Sequence, residues 1–130
     1  METKSFNPDQ IRKSKAIEKF VSIFKGTYEK LSPTDVDFKV FDKDGKLIAY
    51  IDVIPTLKNI SRAYPLKISL EEMTKLFRKR LNPTIVWACD DGIVYGKLKD
   101  IVGEVRHVTA SDELIVYFDK QKAFKYVRYV

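Results

Sequence analysis

Asp35-Val36-Asp37-Phe38-Lys39-Val40-Phe41-Asp42-Lys43-Asp44-Gly45-Lys46-Leu47-Ile48-Ala49-Tyr50-Ile51-Asp52-Val53-Ile54-Pro55 is the stretch on which the fold turns. It reads as two short strands joined by a tight turn, with Asp42 to Gly45 supplying the turn. Period-two alternation sets Val36, Phe38 and Val40 on one face and Asp37, Lys39 and Phe41 on the other. On the second strand Leu47, Ala49, Ile51 and Val53 share a face, and Ile48, Tyr50, Asp52 and Ile54 share the opposite one. A carboxylate at Asp52, inside an apolar run, is costly to bury without a partner. Asp37 on the neighbouring strand is within reach of that role. Two converging carboxylates on a hairpin suit a hard divalent cation such as Mg²⁺ or Mn²⁺. The alternative is a pair of surface aspartates with no shared site.

Upstream, residues 1–8 carry no pattern, and Asn7-Pro8-Asp9 is a helix start with Asn7 as cap. Ile17, Phe20, Val21, Phe24, Tyr28 and Leu31 recur at helical spacing and predict a helix over 8–31, weakened at Gly26. Arg12, Lys13, Lys15, Lys19 and Lys25 fall largely off that stripe, as a solvated face or a phosphate-contacting one. Glu18 sits beside the stripe, either as a surface charge or directed at the hairpin. Downstream, Pro55 ends the second strand or confines it to an edge. Residues 56–68 have no clean period and carry Lys58, Arg62 and Lys67 with Tyr64 among them. They read as an ordinary loop or as a basic segment that holds a phosphodiester backbone.

Ser69 and Glu72 form a capping pair at the head of a helix predicted over 69–81, with Leu70, Met73, Leu76, Phe77 and Leu81 as its apolar face. Lys75, Arg78, Lys79 and Arg80 make its end basic, which suits the helix dipole and nucleic acid equally. Thr84 to Cys89 reads as a buried strand with Trp87 in the core. Asp90-Asp91-Gly92 is a hairpin turn and Ile93 to Leu98 the return strand. Val105 to Thr109, Glu113 to Phe118 and Phe124 to Val130 complete the strands. The last two read as a pair with apolar groups on both faces, suited to pack under a helix or to form a homo-oligomer.

These elements amount to an α/β (α+β) fold, a central mixed sheet flanked by helices, in one domain of 130 residues. The net charge of +6 favours a polyanionic partner, nucleic acid above all, with DNA as the expected kind. The one cysteine, Cys89, has no internal disulfide partner, and no apolar run is long enough to span a bilayer. With a polar N-terminus lacking a signal-peptide core, the expectation is an intracellular, cytoplasmic protein without a membrane partner. His107 is the only histidine, which excludes His-based metal clusters and Ser/His/Asp or Cys/His triads, and there is no Gly-rich phosphate loop.

The order of helix, Asp-bearing strand, hairpin turn, carboxylate-bearing strand, helix and strand resembles the PD-(D/E)XK nuclease superfamily, the restriction-endonuclease-like fold of many restriction enzymes, Holliday-junction resolvases and small phage nucleases. The resemblance covers roughly residues 10–100, leaving a C-terminal strand pair over 105–130. It rests on Asp35-Val36-Asp37-Phe38, Asp44-Gly45-Lys46 and Ala49-Tyr50-Ile51-Asp52-Val53-Ile54. It implies Mg²⁺- or Mn²⁺-dependent cleavage of nucleic acid, with Asp37 and Asp52 as metal ligands and Glu18 as the assisting carboxylate of the first helix. The lysine that positions the attacking water in that family falls on Ile54, which has no charge to offer. The resemblance then leaves Lys58 or Lys75 to supply it, with Lys58, Arg62, Lys67, Arg78, Lys79 and Arg80 as the nucleic-acid-binding residues. The alternative is a nuclease-fold protein of a virus or mobile element that no longer cuts and serves as a structural, inhibitory or protein-interaction module.

Overall fold

The computed structural model describes residues 7–130, so residues 1–6 of the patternless start lie outside the described residues. Helix α1 (Pro8–Ser22) begins as its residues dictate: the Asn7 side chain accepts from the Asp9 N–H at 3.0 Å, and Pro8 occupies the first turn. It ends well before residue 31. Lys25 takes a left-handed φ of 58°, and the Gly26 N–H closes onto the Val21 carbonyl at 2.9 Å. A Cβ on Gly26 would lie 2.3 Å from the Phe41 carbonyl and from the Phe24 ring, so only glycine lets the chain turn back here. The remainder of the expected helix is therefore a strand, β1 (Thr27–Lys30), antiparallel to β2 (Phe38–Phe41). Tyr28 still faces the core, now edge-on to Phe38 with centroids 5.4 Å apart.

The expected hairpin of β2 and β3 (Leu47–Pro55) forms around Gly45, whose φ of 82° suits the turn. The Asp42 carboxylate accepts from the Asp44 and Lys46 N–H groups, both at 2.9 Å. The chain then crosses through a single 3₁₀ turn (Ile60–Arg62), β4 (Leu66–Ser69) and α2 (Leu70–Phe77) to β5 (Thr84–Ala88), which lies parallel to β3. β6 (Gly92–Lys97) returns antiparallel, and the six-stranded sheet has the order β1-β2-β3-β5-β6-β9, β9 being Lys125–Arg128. β7 (Glu104–Val108) and β8 (Glu113–Phe118) join β4 in a separate sheet of order β4-β8-β7. The architecture is thus α+β with a mixed central sheet.

Three further expectations change. Part of the segment over 56–68, which shows no period, is strand β4, because Leu66 and Ile68 alternate with Lys67 over too few residues to register as a pattern. The two C-terminal strands are not a pair: β8 adds to β4 and β7, whereas β9 extends the large sheet beside β6. Helix α2 stops at Phe77 rather than near residue 81, and Phe77 is 70% exposed instead of lying on the buried face.

The large sheet is covered on both sides. Ala16, Ile17 and Val21 of α1 pack on Phe38, Val40, Ala49, Ile51 and Val53. On the other side Ile85, Trp87 and Val94 meet Leu76 of α2 and the small sheet through Leu66, Ile68, Val116 and Phe118. Trp87 is core, as its strand predicts, and its indole N–H donates to the Lys67 carbonyl at 2.8 Å. Among the described residues no helix is long and apolar enough to cross a membrane. Gly26→Ala is expected to destabilise the fold by about 1–3 kcal/mol, since the added methyl meets backbone that cannot yield. Urea unfolding measures this; an unchanged midpoint would contradict the tight turn.

Candidate functional site: a carboxylate pair at a strand fork

β2 parts from β3 at Asp37. Phe38 opposite Ile51 is the end of the ladder, and beyond it side chains take the place of backbone partners. The Asp37 N–H donates to Asp52 Oδ1 at 2.9 Å, and the Val53 N–H donates to Asp37 Oδ2 at 2.9 Å. The two aspartates therefore converge, as strand alternation predicts for residues facing one another across a hairpin. The alternation breaks just beyond: Val36 joins the core under α2 and the small sheet rather than the α1 face shared by Phe38 and Val40.

Asp52 is 5% exposed. Burial, reinforced by the nearby Asp37 charge, pushes its pKa up to about 7 against the opposing pull of the Asp37 N–H. Lys13 of α1 supplies the cation, its Nζ lying 3.1 Å and 3.3 Å from the two Asp37 oxygens. Its charge favours ionisation of Asp52. Glu72 of α2 belongs to the same field. The residue is solvent-accessible, yet desolvation of its carboxyl raises its pKa, with Lys13 opposing and Asp37 adding to the rise. Asp35 lies just outside. Lys79 approaches it to 2.8 Å, and this hydrogen bond holds its carboxyl below the usual range.

Of the residues singled out from the sequence, Asp37 and Asp52 meet. Glu18 instead accepts from the Tyr28 hydroxyl at 3.2 Å. Lys75 sits one turn beyond Glu72 and acts electrostatically on it and on Asp35. Ile54 packs against the core beneath the small sheet. Lys79 is committed to Asp35 and to the Tyr50 ring, 4.8 Å from its centroid. Lys58, Arg62, Lys67, Arg78 and Arg80 are exposed and, among the described residues, form no ion pair. Lys58 and Lys67 border one recess and Arg62 shares another with Lys58. Arg78 and Lys75 line a groove of about 560 Å³ between α2 and the β7–β8 turn, where Glu71, Asp112 and Glu113 leave it mixed in charge.

Two members of the site are missed by the sequence reading. Lys13 precedes buried Ile17 by four residues, so it caps the inward stripe of α1 rather than its solvated face. Glu72 likewise precedes fully buried Leu76 by four. A charge continuing an apolar stripe is the signal in both cases.

Among the described residues no three His, Cys, Asp or Glu side chains form a ready-made metal cage. Asp37 and Asp52 offer two hard oxygen donors, about the number Mg²⁺ takes from a protein when a substrate phosphate and water supply the others. The donor chemistry suits Mg²⁺ or Mn²⁺. No protein-family profile, no curated protein and no solved structure matches the chain.

The raised pKa has a consequence for stability. Unfolded Asp52 ionises near the ordinary aspartate value of 3.8, whereas the folded residue keeps its proton to about 7. Across that window the unfolded chain has lost a proton that the native state retains, so stability falls as pH rises, by up to about 1.4 kcal/mol per pH unit. Above the folded pKa the slope disappears. Asp52→Asn is expected to flatten this part of the profile, measured by urea unfolding at a series of pH values. Parallel profiles for the two proteins would contradict the buried, protonated Asp52.

Proposed function

We propose that the chain binds nucleic acid and hydrolyses phosphodiester bonds with a divalent cation held at Asp37 and Asp52. The observation that carries this reading is the Lys13 ammonium 3.1 Å and 3.3 Å from the Asp37 oxygens, beside a buried Asp52. Isoleucine at position 54 removes a lysine from the strand, and Lys13 brings one in from the helix. The bound cation would supply positive charge to polarise water and the phosphate. Lys13 stands where it can donate to a phosphate oxygen as negative charge builds up. A cation bound at Asp52 would hold that carboxylate in its ionised form. Exposed Lys58, Arg62, Lys67, Arg78 and Arg80 would hold the backbone through salt-sensitive contacts.

A second reading has its own observation. Lys13 already compensates Asp37 without a metal, and both aspartates have backbone duties at the fork. On that reading the carboxylates are structural, and the chain is a nuclease-like binding or interaction module that does not cut.

A cleavage assay with Mg²⁺ and Mn²⁺ on duplex, single-stranded and branched DNA separates the two. Activity in the wild type, abolished by Asp52→Ala and reduced about 10²- to 10³-fold by Lys13→Ala, is the expected result. An inert wild type that gains activity with Ile54→Lys supports the second reading. Full activity in both Asp52→Ala and Lys13→Ala would place the chemistry elsewhere.

A further inference from the structure

β3 and β5 run parallel and end side by side at Pro55 and Ala88. The chain leaving each strand is pinned to the other. The Thr56 N–H donates to the Ala88 carbonyl and the Asp90 N–H to the Lys58 carbonyl, both at 2.9 Å. The Ile60 N–H donates to the Asp91 carboxylate at 2.8 Å, and the Ile60 side chain is buried. Segment 56–62 is thus held against the β5–β6 turn, and Lys58 and Arg62 stand on a fixed backbone. Both are exposed and form no ion pair among the described residues.

Two recesses flank Asp90 at this end of the sheet. One, of about 450 Å³, is bordered by Leu57, Lys58, Asn59 and Arg62. The other, of about 390 Å³, lies against the first turns of α1, with Ile11, Arg12, Lys15 and Tyr129 on its walls. Arg12 reaches Asp90 at 2.7 Å. The Lys15 ammonium lies 4.2 Å from the centroid of the Tyr129 ring, a contact that steadies it and leaves its charge intact. Together the two recesses carry four cations against one carboxylate. The groove beside α2 carries two against three. Of these two surfaces, the one around Asp90 attracts a polyanion.

Its position relative to the fork selects the polyanion. Arg12 and Lys13 are consecutive in α1, one bound to Asp90 and the other to Asp37. The fork and the Asp90 recesses therefore adjoin the same turn of the helix. A polymer with one phosphodiester at the fork finds its next cations at Lys15, Lys58 and Arg62, whereas an acidic peptide has no such linkage to place there.

We infer that the nucleic-acid backbone leaves the fork across the Asp90 turn, with phosphates on Lys15, Lys58 and Arg62, and that Asp90 withholds Arg12 from the same track. This rests on the nucleic-acid reading above and adds the path of the strand and a brake on its affinity. The Asp90 carboxylate neutralises Arg12 and repels phosphates in either recess, so its removal strengthens binding.

The test is binding of a short labelled DNA duplex over a range of salt, in EDTA so that cleavage plays no part. Asp90→Asn keeps a turn-forming residue in place. It is expected to bind about fivefold more tightly at low salt, the effect of one unit charge at close range. Its salt slope should steepen by about 0.9 as Arg12 becomes a phosphate contact. Lys15→Ala, Lys58→Ala and Arg62→Ala combined should flatten the slope by about 2.7, the value for three duplex phosphate contacts. Glu113→Gln removes one negative charge from the distant groove and should change affinity less than about twofold, because screening confines the effect. Asp90→Asn binding no tighter than wild type, Glu113→Gln tightening binding equally, or an unchanged slope in the triple variant would overturn the inference and leave the nucleic-acid reading standing. No DNA binding at low salt overturns both. Polyglutamate that displaces the DNA at equal charge concentration would assign the surface to an acidic protein and overturn the inference as well. Misfolding does not tighten binding, so Asp90→Asn decides even where the triple variant fails to fold.

Discussion

The reciprocal bond between two aspartates and two backbone amides is the constraint around which the rest is arranged. Where β2 leaves β3, two N–H groups lose their strand partners and must be satisfied in a largely dry environment. Asp52 Oδ1 takes the Asp37 N–H and Asp37 Oδ2 takes the Val53 N–H. The fork thereby needs two acidic side chains face to face, and their proximity raises the Asp52 pKa beyond what burial alone would do. Charge balance then draws in Lys13 from the helix on one side of the sheet and exposes Glu72 of the helix on the other side to the same field. A structural need at one fork thus brings two carboxylates and an ammonium group together.

Much of the architecture is legible in the sequence because its signals are local. The Asp42–Gly45 turn, the alternation on both arms of the first hairpin, the Asp90-Asp91-Gly92 turn and the Ser69–Glu72 cap each depend on a few neighbouring residues. What stays hidden depends on distant partners. The stripe through Tyr28 and Leu31 has helical spacing, but the approach of Gly26 to the Phe41 carbonyl forces a reversal that converts its end into β1. The separation of β8 from β9 is equally invisible, since both carry aromatic and apolar residues and only the edges open to them in space decide the sheet each joins.

The site divides in the same way. The Asp37/Asp52 convergence follows from strand parity and was open to inspection in the sequence. The basic partner was not, because it comes from α1, twenty-four residues before Asp37 in the chain. Lys13 stands among Arg12 and Lys15, and its spacing of four from buried Ile17 sets it apart from Lys15 but not from Arg12, which precedes buried Ala16 by four. Its neighbour Arg12 turns instead to Asp90, at 2.7 Å. Consecutive residues on a helix point about 100° apart, so one of two adjacent cations reaches the fork and the other reaches the β5–β6 turn.

The state of Asp52 joins the fold to the chemistry, and it can be observed directly. Side-chain carboxyl NMR of the ¹³C-labelled protein, titrated with pH with and without Mg²⁺, follows that group alone. The expected midpoint without Mg²⁺ is about 7, falling when Mg²⁺ is added because the cation favours the ionised carboxylate. A midpoint at the ordinary aspartate value, or one near 7 that saturating Mg²⁺ leaves unmoved, would contradict a buried carboxylate pair that serves as a cation site.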